Sequence, residues 1–160
     1  MDERFARKFL TDEGVDWNRV SLVRGWFNET LTDVLLRSLS IRKASILMVD
    51  CDTYASTKTA LPFCAPLIDD HAAIFFDDWH ADGLADKNLG EKRAFDEFLE
   101  QHPEFTVEDF GDYGNYSKVF IVSRASPTRR GSIFTLVPGG FVGDFLAGTS
   151  EFAWSLPYVV

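Results

Sequence analysis

The chain has 160 residues, 46% of them hydrophobic and 14% aromatic, which is typical of one globular domain and excludes a disordered chain. Its net charge of −9 argues against nucleic acid as a partner, because phosphate binding needs clusters of lysine and arginine. No signal peptide is evident, and every long apolar stretch is interrupted by charges, glycine or proline, so we expect a cytoplasmic protein with no membrane partner. Cys51 and Cys64 lack metal-type spacing and are expected to be reduced thiols.

The predicted elements alternate between helices and strands. A helix over residues 3–13 precedes a short strand at 19–24, where apolar and polar residues alternate up to Gly25. The later elements, in chain order, are a helix over 28–39, a strand over 44–50, a helix over 53–68, a strand over 72–77, a helix over 90–101 and two strands over 105–110 and 118–123. The last two strands are separated by a turn-forming stretch, residues 111–115, which predicts an antiparallel pair.

This order of elements indicates the fold class. Strands that alternate with helices and then end in a hairpin favour an α/β fold with a mostly parallel sheet and one reversed edge strand. After Arg124 the composition shifts toward serine, proline and glycine, so residues 1–124 are expected to form the core and residues 125–160 a tail. The role of the tail stays open between covering a sheet edge, joining a homo-oligomer interface and disorder.

Two of the predicted strands end in paired acids. The first runs into Asp50 and Asp52, and the second runs into Asp77 and Asp78. Unpaired buried charge is very costly, so each strand has to end where its acids begin. If the two strands are parallel neighbours, both acid pairs emerge at the edge of the sheet where ligands bind in open α/β folds. There the carboxylates would repel one another unless a cation lay between them, and oxygen ligands favour Mg²⁺ or Ca²⁺.

Four segments in chain order resemble the motifs of a known family. They are residues 25–31 (GWFNETL), 49–57 (VDCDTYAST), 76–79 (FDDW) and 90–98 (GEKRAFDEF). At this spacing they resemble the macrocin-type (TylF-like) O-methyltransferases, which are class I, S-adenosylmethionine-dependent enzymes, over roughly residues 15–124. The resemblance implies a Rossmann-like sheet with strand order 3-2-1-4-5-7-6. It also implies methyl transfer to a hydroxyl of a small molecule, such as a sugar or another natural product.

The resemblance also implies which residues act. Asp50, Asp77 and Asp78 would be the ligands of Mg²⁺, with Asp50 also counted among the catalytic residues. A hydroxyl bound to that ion would lose its proton more easily and would attack the sulfonium methyl group in line. Asp52 would be the N-cap of the following helix rather than a ligand, because aspartate is a preferred capping residue.

Three further residues have a functional and a structural interpretation. By resemblance, Trp26 and Phe27 would lie beside the adenine of S-adenosylmethionine, whereas the structural alternative is two core aromatics. His80 follows the second acid pair and could act as a general base near neutral pH. A solvent-exposed loop histidine is the commoner case.

The sequence departs from the family at its beginning. The family starts with a strand, a glycine-rich turn and a second strand that ends in an acid for the ribose. The first strand found here, at 19–24, corresponds to the family's third, so the sheet would lack its first two strands and the strand at 44–50 would be an exposed edge. We therefore expect a C-terminal portion of a methyltransferase, which binds S-adenosylmethionine poorly and is weakly active or inactive alone.

Two other interpretations stay open. A domain that keeps the metal acids without the cofactor half would be a non-catalytic remnant or an interaction module. Alternatively, Asp50 and Asp52 after an apolar strand resemble the nucleophile and the acid/base of haloacid dehalogenase-type phosphatases. Tyr54 departs from that motif, and a suitable lysine is not evident.

Overall fold

The computed structural model of the chain describes residues 3–125. Its helices and strands are α1 (Glu3–Asp12), α2 (Phe27–Thr30), α3 (Asp33–Ser38), β1 (Ile46–Val49), α4 (Tyr54–Cys64), β2 (His71–Phe76), α5 (Gly90–Gln101), β3 (Phe105–Tyr113) and β4 (Ser117–Arg124). Two short 3₁₀ helices lie at Ala65–Leu67 and Ala81–Gly83. Apart from Ala125, the predicted tail lies outside the described residues. No helix within them is long and apolar enough to cross a membrane.

The strands form an open mixed sheet in the order β1-β2-β4-β3. β1 and β2 are parallel, with Val49 opposite Phe76, and β4 is antiparallel to both of its neighbours. The fold is therefore α/β, with three strands in one direction and one reversed strand. The reversed strand is the last one, as predicted, but its predicted place at the edge of the sheet is wrong. β4 lies between β2 and β3, because it pairs with β2 along one side and with β3 along the other.

The first part of the chain differs from the prediction. Residues 19–24 form no strand, since alternation alone is insufficient without a neighbouring strand to accept the backbone hydrogen bonds. The helix predicted over 28–39 is two short helices, because Thr32 is extended and its hydroxyl accepts a hydrogen bond from the Leu35 amide, which starts α3 anew. The helix predicted over 53–68 ends at Cys64, where Pro66 removes a backbone donor and only a 3₁₀ turn follows.

The hydrophobic core lies between one face of the sheet and the helices α4 and α5. Along β2, alternate side chains are fully buried, namely Ala72, Ile74 and Phe76. They pack against Leu61 of α4 and Phe95 of α5 in one cluster. The predicted helix at 90–101 is confirmed with the same bounds, because its apolar stripe is continuous. This packing fixes the ends of β1 and β2, where the predicted acids begin.

Candidate functional site

The parallel strands β1 and β2 bring their acids to a common edge of the sheet. The amide of Asp77 donates to the carbonyl of Val49 at 3.0 Å, which continues the pairing of the two strands up to their ends. Beyond this point, one carboxylate oxygen each of Asp50, Asp52 and Asp78 lies within 4.8 Å of the others. We call these three residues the acidic triad. Its oxygens are close enough to share one divalent cation.

Asp77, the third acid of the predicted ligand set, makes its contacts on the hairpin side. Its Oδ1 accepts hydrogen bonds from the hydroxyls of Tyr113, at 3.3 Å, and Ser117, at 3.2 Å. The Ser117 hydroxyl also lies 2.8 Å from the Asp77 carbonyl oxygen, so it fixes both the backbone and the side chain of this residue. Successive side chains at a strand end point to opposite sides. The two acids of the second pair therefore have different neighbours.

Asp52 belongs to the triad, and its predicted role as a helix cap is wrong. The N-cap of α4 is Thr53, whose hydroxyl accepts a hydrogen bond from the Ser56 amide at 3.2 Å. Asp52 instead adopts a left-handed backbone conformation with φ of 53°, which aspartate tolerates better than most residues. This residue turns the chain from β1 into α4 and leaves its carboxylate free to approach Asp50 and Asp78.

Glu91, which the sequence reasoning missed, lies beneath the triad. Its side chain is only 2% exposed, and its Oε2 accepts a hydrogen bond from the Asp78 amide at 3.1 Å. The sequence pattern could have indicated it, since Glu91 precedes Phe95 by four residues and so lies on the buried face of α5.

The first residue of α5 has to be glycine. Gly90 has a φ of 58°, and a Cβ at this position would lie only 3.0 Å from the side chain of Leu84.

Burial and the neighbouring negative charges raise the pKa values of Asp50 and Asp78. Burial raises the pKa of Asp78, and a hydrogen bond with Asp52 and the neighbouring negative charges raise it further. Burial followed by the charge of Asp77 raises the pKa of Asp50. Among residues 3–125, two buried side-chain oxygens have no hydrogen-bond partner, Asp78 Oδ2 and Glu91 Oε1. An all-oxygen set with an orphaned buried oxygen fits a hard cation such as Mg²⁺, which would offset this repulsion.

Without divalent cations, we expect the stability of the chain to fall as the pH rises from about 5 to about 8. Burial and then the charge of Asp78 raise the pKa of Glu91 from its ordinary value of 4.5 to about 8. Between these two pH values the folded state keeps a proton on Glu91 that the unfolded state releases. The contribution of this proton to stability is complete below pH 4.5, the ordinary pKa of glutamate, and is lost as the pH rises toward about 8, the pKa of Glu91 in the folded state. Urea unfolding in EDTA should show a loss on the order of a few kcal/mol. Glu91→Gln should remove most of that slope, and an unchanged slope would contradict the expectation.

The other predicted residues, His80, Trp26 and Phe27, do not form a complete site for S-adenosylmethionine. His80 Nε2 lies 3.2 Å from Asp112 Oδ1, and the His80 amide donates to the Tyr116 carbonyl, so this residue is tied to the hairpin. Trp26 is the N-cap of α2 and is 76% exposed, which excludes the core alternative for this residue, whereas Phe27 is half-buried. Among residues 3–125, β1 is the first strand. The glycine-rich turn that would hold S-adenosylmethionine has no counterpart there, so the described residues do not fit that cofactor.

Neither cysteine is a reactive thiol, although Cys51 lies between Asp50 and Asp52 in the chain. Both are free thiols, as predicted. Burial is the main cause that raises the pKa of Cys51 to about 11 and that of Cys64 to about 12. Thiols with such pKa values carry almost no thiolate at neutral pH, so they are poor nucleophiles and poor metal ligands.

The chain matches no protein-family model and no curated protein. The function therefore has to be inferred from the geometry of the acidic triad and from the order of the strands that carry it.

Proposed function

We propose that this chain binds a divalent cation, preferably Mg²⁺, on the acidic triad, and that the site belongs to an S-adenosylmethionine-dependent O-methyltransferase sheet. The observation that carries the proposal is the approach of three carboxylate oxygens, from Asp50, Asp52 and Asp78, to within 4.8 Å of one another. Mg²⁺ prefers oxygen ligands and keeps positions for water or substrate. Asp77, the ligand that the resemblance implies, lies outside the triad, and its Oδ1 is held by the hydroxyls of Tyr113 and Ser117.

The strand order supports the methyltransferase part of the proposal. The sheet order β1-β2-β4-β3 corresponds to the portion 4-5-7-6 of the order that the family resemblance implies. In both, two parallel strands are followed by a reversed strand that lies inside the sheet. The acids follow the first two strands of this portion, at the edge of the sheet where ligands of open α/β folds bind.

The residues of the chain would have separate tasks in this site. When bound, the cation would supply acidity to a substrate hydroxyl, since it stabilises the alkoxide. The acidic triad would hold and neutralise the cation. Tyr113 and Ser117 would fix Asp77, and Asp112 would hold the ring of His80, the candidate general base. The acceptor would be a small molecule with a hydroxyl group, which the cation would position.

A non-catalytic role is the second candidate, and one observation favours it. Among residues 3–125, β1 pairs with β2 alone and no strand precedes it, so no cofactor-binding turn stands beside the triad. A chain that keeps the cation site without that turn would bind the ion and not the methyl donor. The two candidates therefore differ in cofactor binding and agree on the cation.

A pair of titrations on the full 160-residue chain tests both parts. Mn²⁺ binding, followed by the loss of the free-ion electron paramagnetic resonance signal, should show one saturable site from which excess Mg²⁺ displaces Mn²⁺. Calorimetric titration with S-adenosylmethionine then separates the two candidates, and no binding at micromolar concentration would favour the non-catalytic one. Micromolar cofactor binding would favour the enzyme and refute the non-catalytic candidate. If no saturable Mn²⁺ site is found, the proposed cation site is wrong.

A further inference from the structure

We infer that Glu91 is a positioning residue, which holds Asp78 in the direction that the cation site needs. The inference rests on the proposed cation site, and it concerns a residue that is not itself a member of the triad. The contact is direct, since Glu91 Oε2 accepts the hydrogen bond of the Asp78 amide at 3.1 Å. Because this bond engages the backbone of Asp78, it leaves the carboxylate of Asp78 available to the cation.

The backbone groups after β2 form hydrogen bonds with several different elements. The amide of Asp77 is bound by β1, and its carbonyl is bound by Ser117 of β4. The amide of His80 is bound by the carbonyl of Tyr116 in the hairpin. Glu91 supplies the corresponding bond for Asp78, from α5. Without it, the peptide group before Asp78 would lose its acceptor, and the direction of the Asp78 side chain would no longer be fixed by α5.

A polar side chain in this place is costly, which argues that it has a task. Glu91 lies on the buried face of α5 with Ala94, Phe95 and Phe98, where an apolar residue would pack without burying an unpaired polar atom. Its Oε1 and Asp78 Oδ2 are the two buried side-chain oxygens without a partner among residues 3–125. These two oxygens belong to the two residues that the hydrogen bond joins. The buried side-chain oxygens without a partner in the described residues therefore all lie at Asp78 and Glu91.

Three variants test the inference by Mn²⁺ affinity. Glu91→Ala removes the acceptor and should weaken Mn²⁺ binding by about 10-fold or more, as loss of a supporting hydrogen bond does at other metal sites. Glu91→Gln keeps an oxygen that can accept from the Asp78 amide and should restore affinity to within about threefold of wild type. The control is Glu97→Gln on the same helix. It removes the charge that pairs with Lys58 and Arg93, so it changes stability and should leave Mn²⁺ affinity unchanged.

Amide hydrogen exchange of Asp78 separates this inference from the proposed function. The amide should be protected in wild type and in Glu91→Gln and should exchange faster in Glu91→Ala, relative to amides of β2 in the same sample. A wild-type chain that binds no Mn²⁺ would sink the proposed cation site, and the positioning of Asp78 would then be judged by exchange alone. Wild-type Mn²⁺ affinity in Glu91→Ala, an equal loss in Glu91→Gln, or equal exchange in all variants would overturn the inference.

Discussion

Replacing Asp78 with asparagine should weaken Mn²⁺ binding by at least about 100-fold, the upper end of what the loss of a supporting residue costs. Asp78 belongs to the acidic triad, and its Oδ2 is buried without a partner among the described residues. The substitution preserves shape and removes one negative charge. Because burial and the charges nearby raise the pKa of Asp78, the same change should increase stability in EDTA. Opposite effects on cation binding and on stability are expected only if the acids are held together for a ligand.

Two comparisons sharpen this experiment. Asp70→Asn is the matched control, because this exposed acid lies just before β2, at the opposite end of the strand, and its replacement should leave Mn²⁺ affinity unchanged. Asp52→Asn should weaken Mn²⁺ binding more than Asp77→Asn, since Asp52 lies in the triad and Asp77 is bound by Tyr113 and Ser117. The reverse order would favour the ligand set that the family resemblance implies. Unchanged affinity in Asp78→Asn would contradict the site.

Replacing Phe76 with alanine should lower the free energy of unfolding by about 3–5 kcal/mol, the usual cost of removing a large aromatic side chain from a core. Phe76 is 0% exposed, and its ring centroid lies 5.0 Å from those of Trp79 and Phe95 and 6.1 Å from that of Phe120. These rings come from α5, β4 and the loop after β2. Because domains are stable by only about 5–15 kcal/mol, this single change would remove a large share of the total.

Chemical denaturation of the full chain measures this effect. The control is Phe110→Ala in β3, whose side chain is 71% exposed and whose loss should change stability by no more than about 0.5 kcal/mol. The cation site should weaken with Phe76→Ala as well, since the residue directly precedes the paired acids. Equal stability losses in the two variants would mean that the aromatic cluster is not the centre of the core.

The sequence alone determined the elements whose pattern is strong and local. The helix at 90–101 was predicted with its observed bounds because its apolar stripe runs through whole turns. The two strands before the acids were predicted because a charged pair cannot enter a core. The strand predicted at residues 19–24 is absent, because a strand needs a partner strand and a local alternation of apolar and polar residues cannot show whether one is present.

The tertiary structure decided which acids meet. Four aspartates follow the strands, and spacing gave no means of separating Asp77, bound by the hairpin, from Asp52, which a left-handed turn carries into the triad. It also decided the place of β4 inside the sheet and of Glu91 beneath Asp78. The physical reason is that each of these contacts joins residues distant in sequence, through side-chain directions that depend on how helices and strands pack.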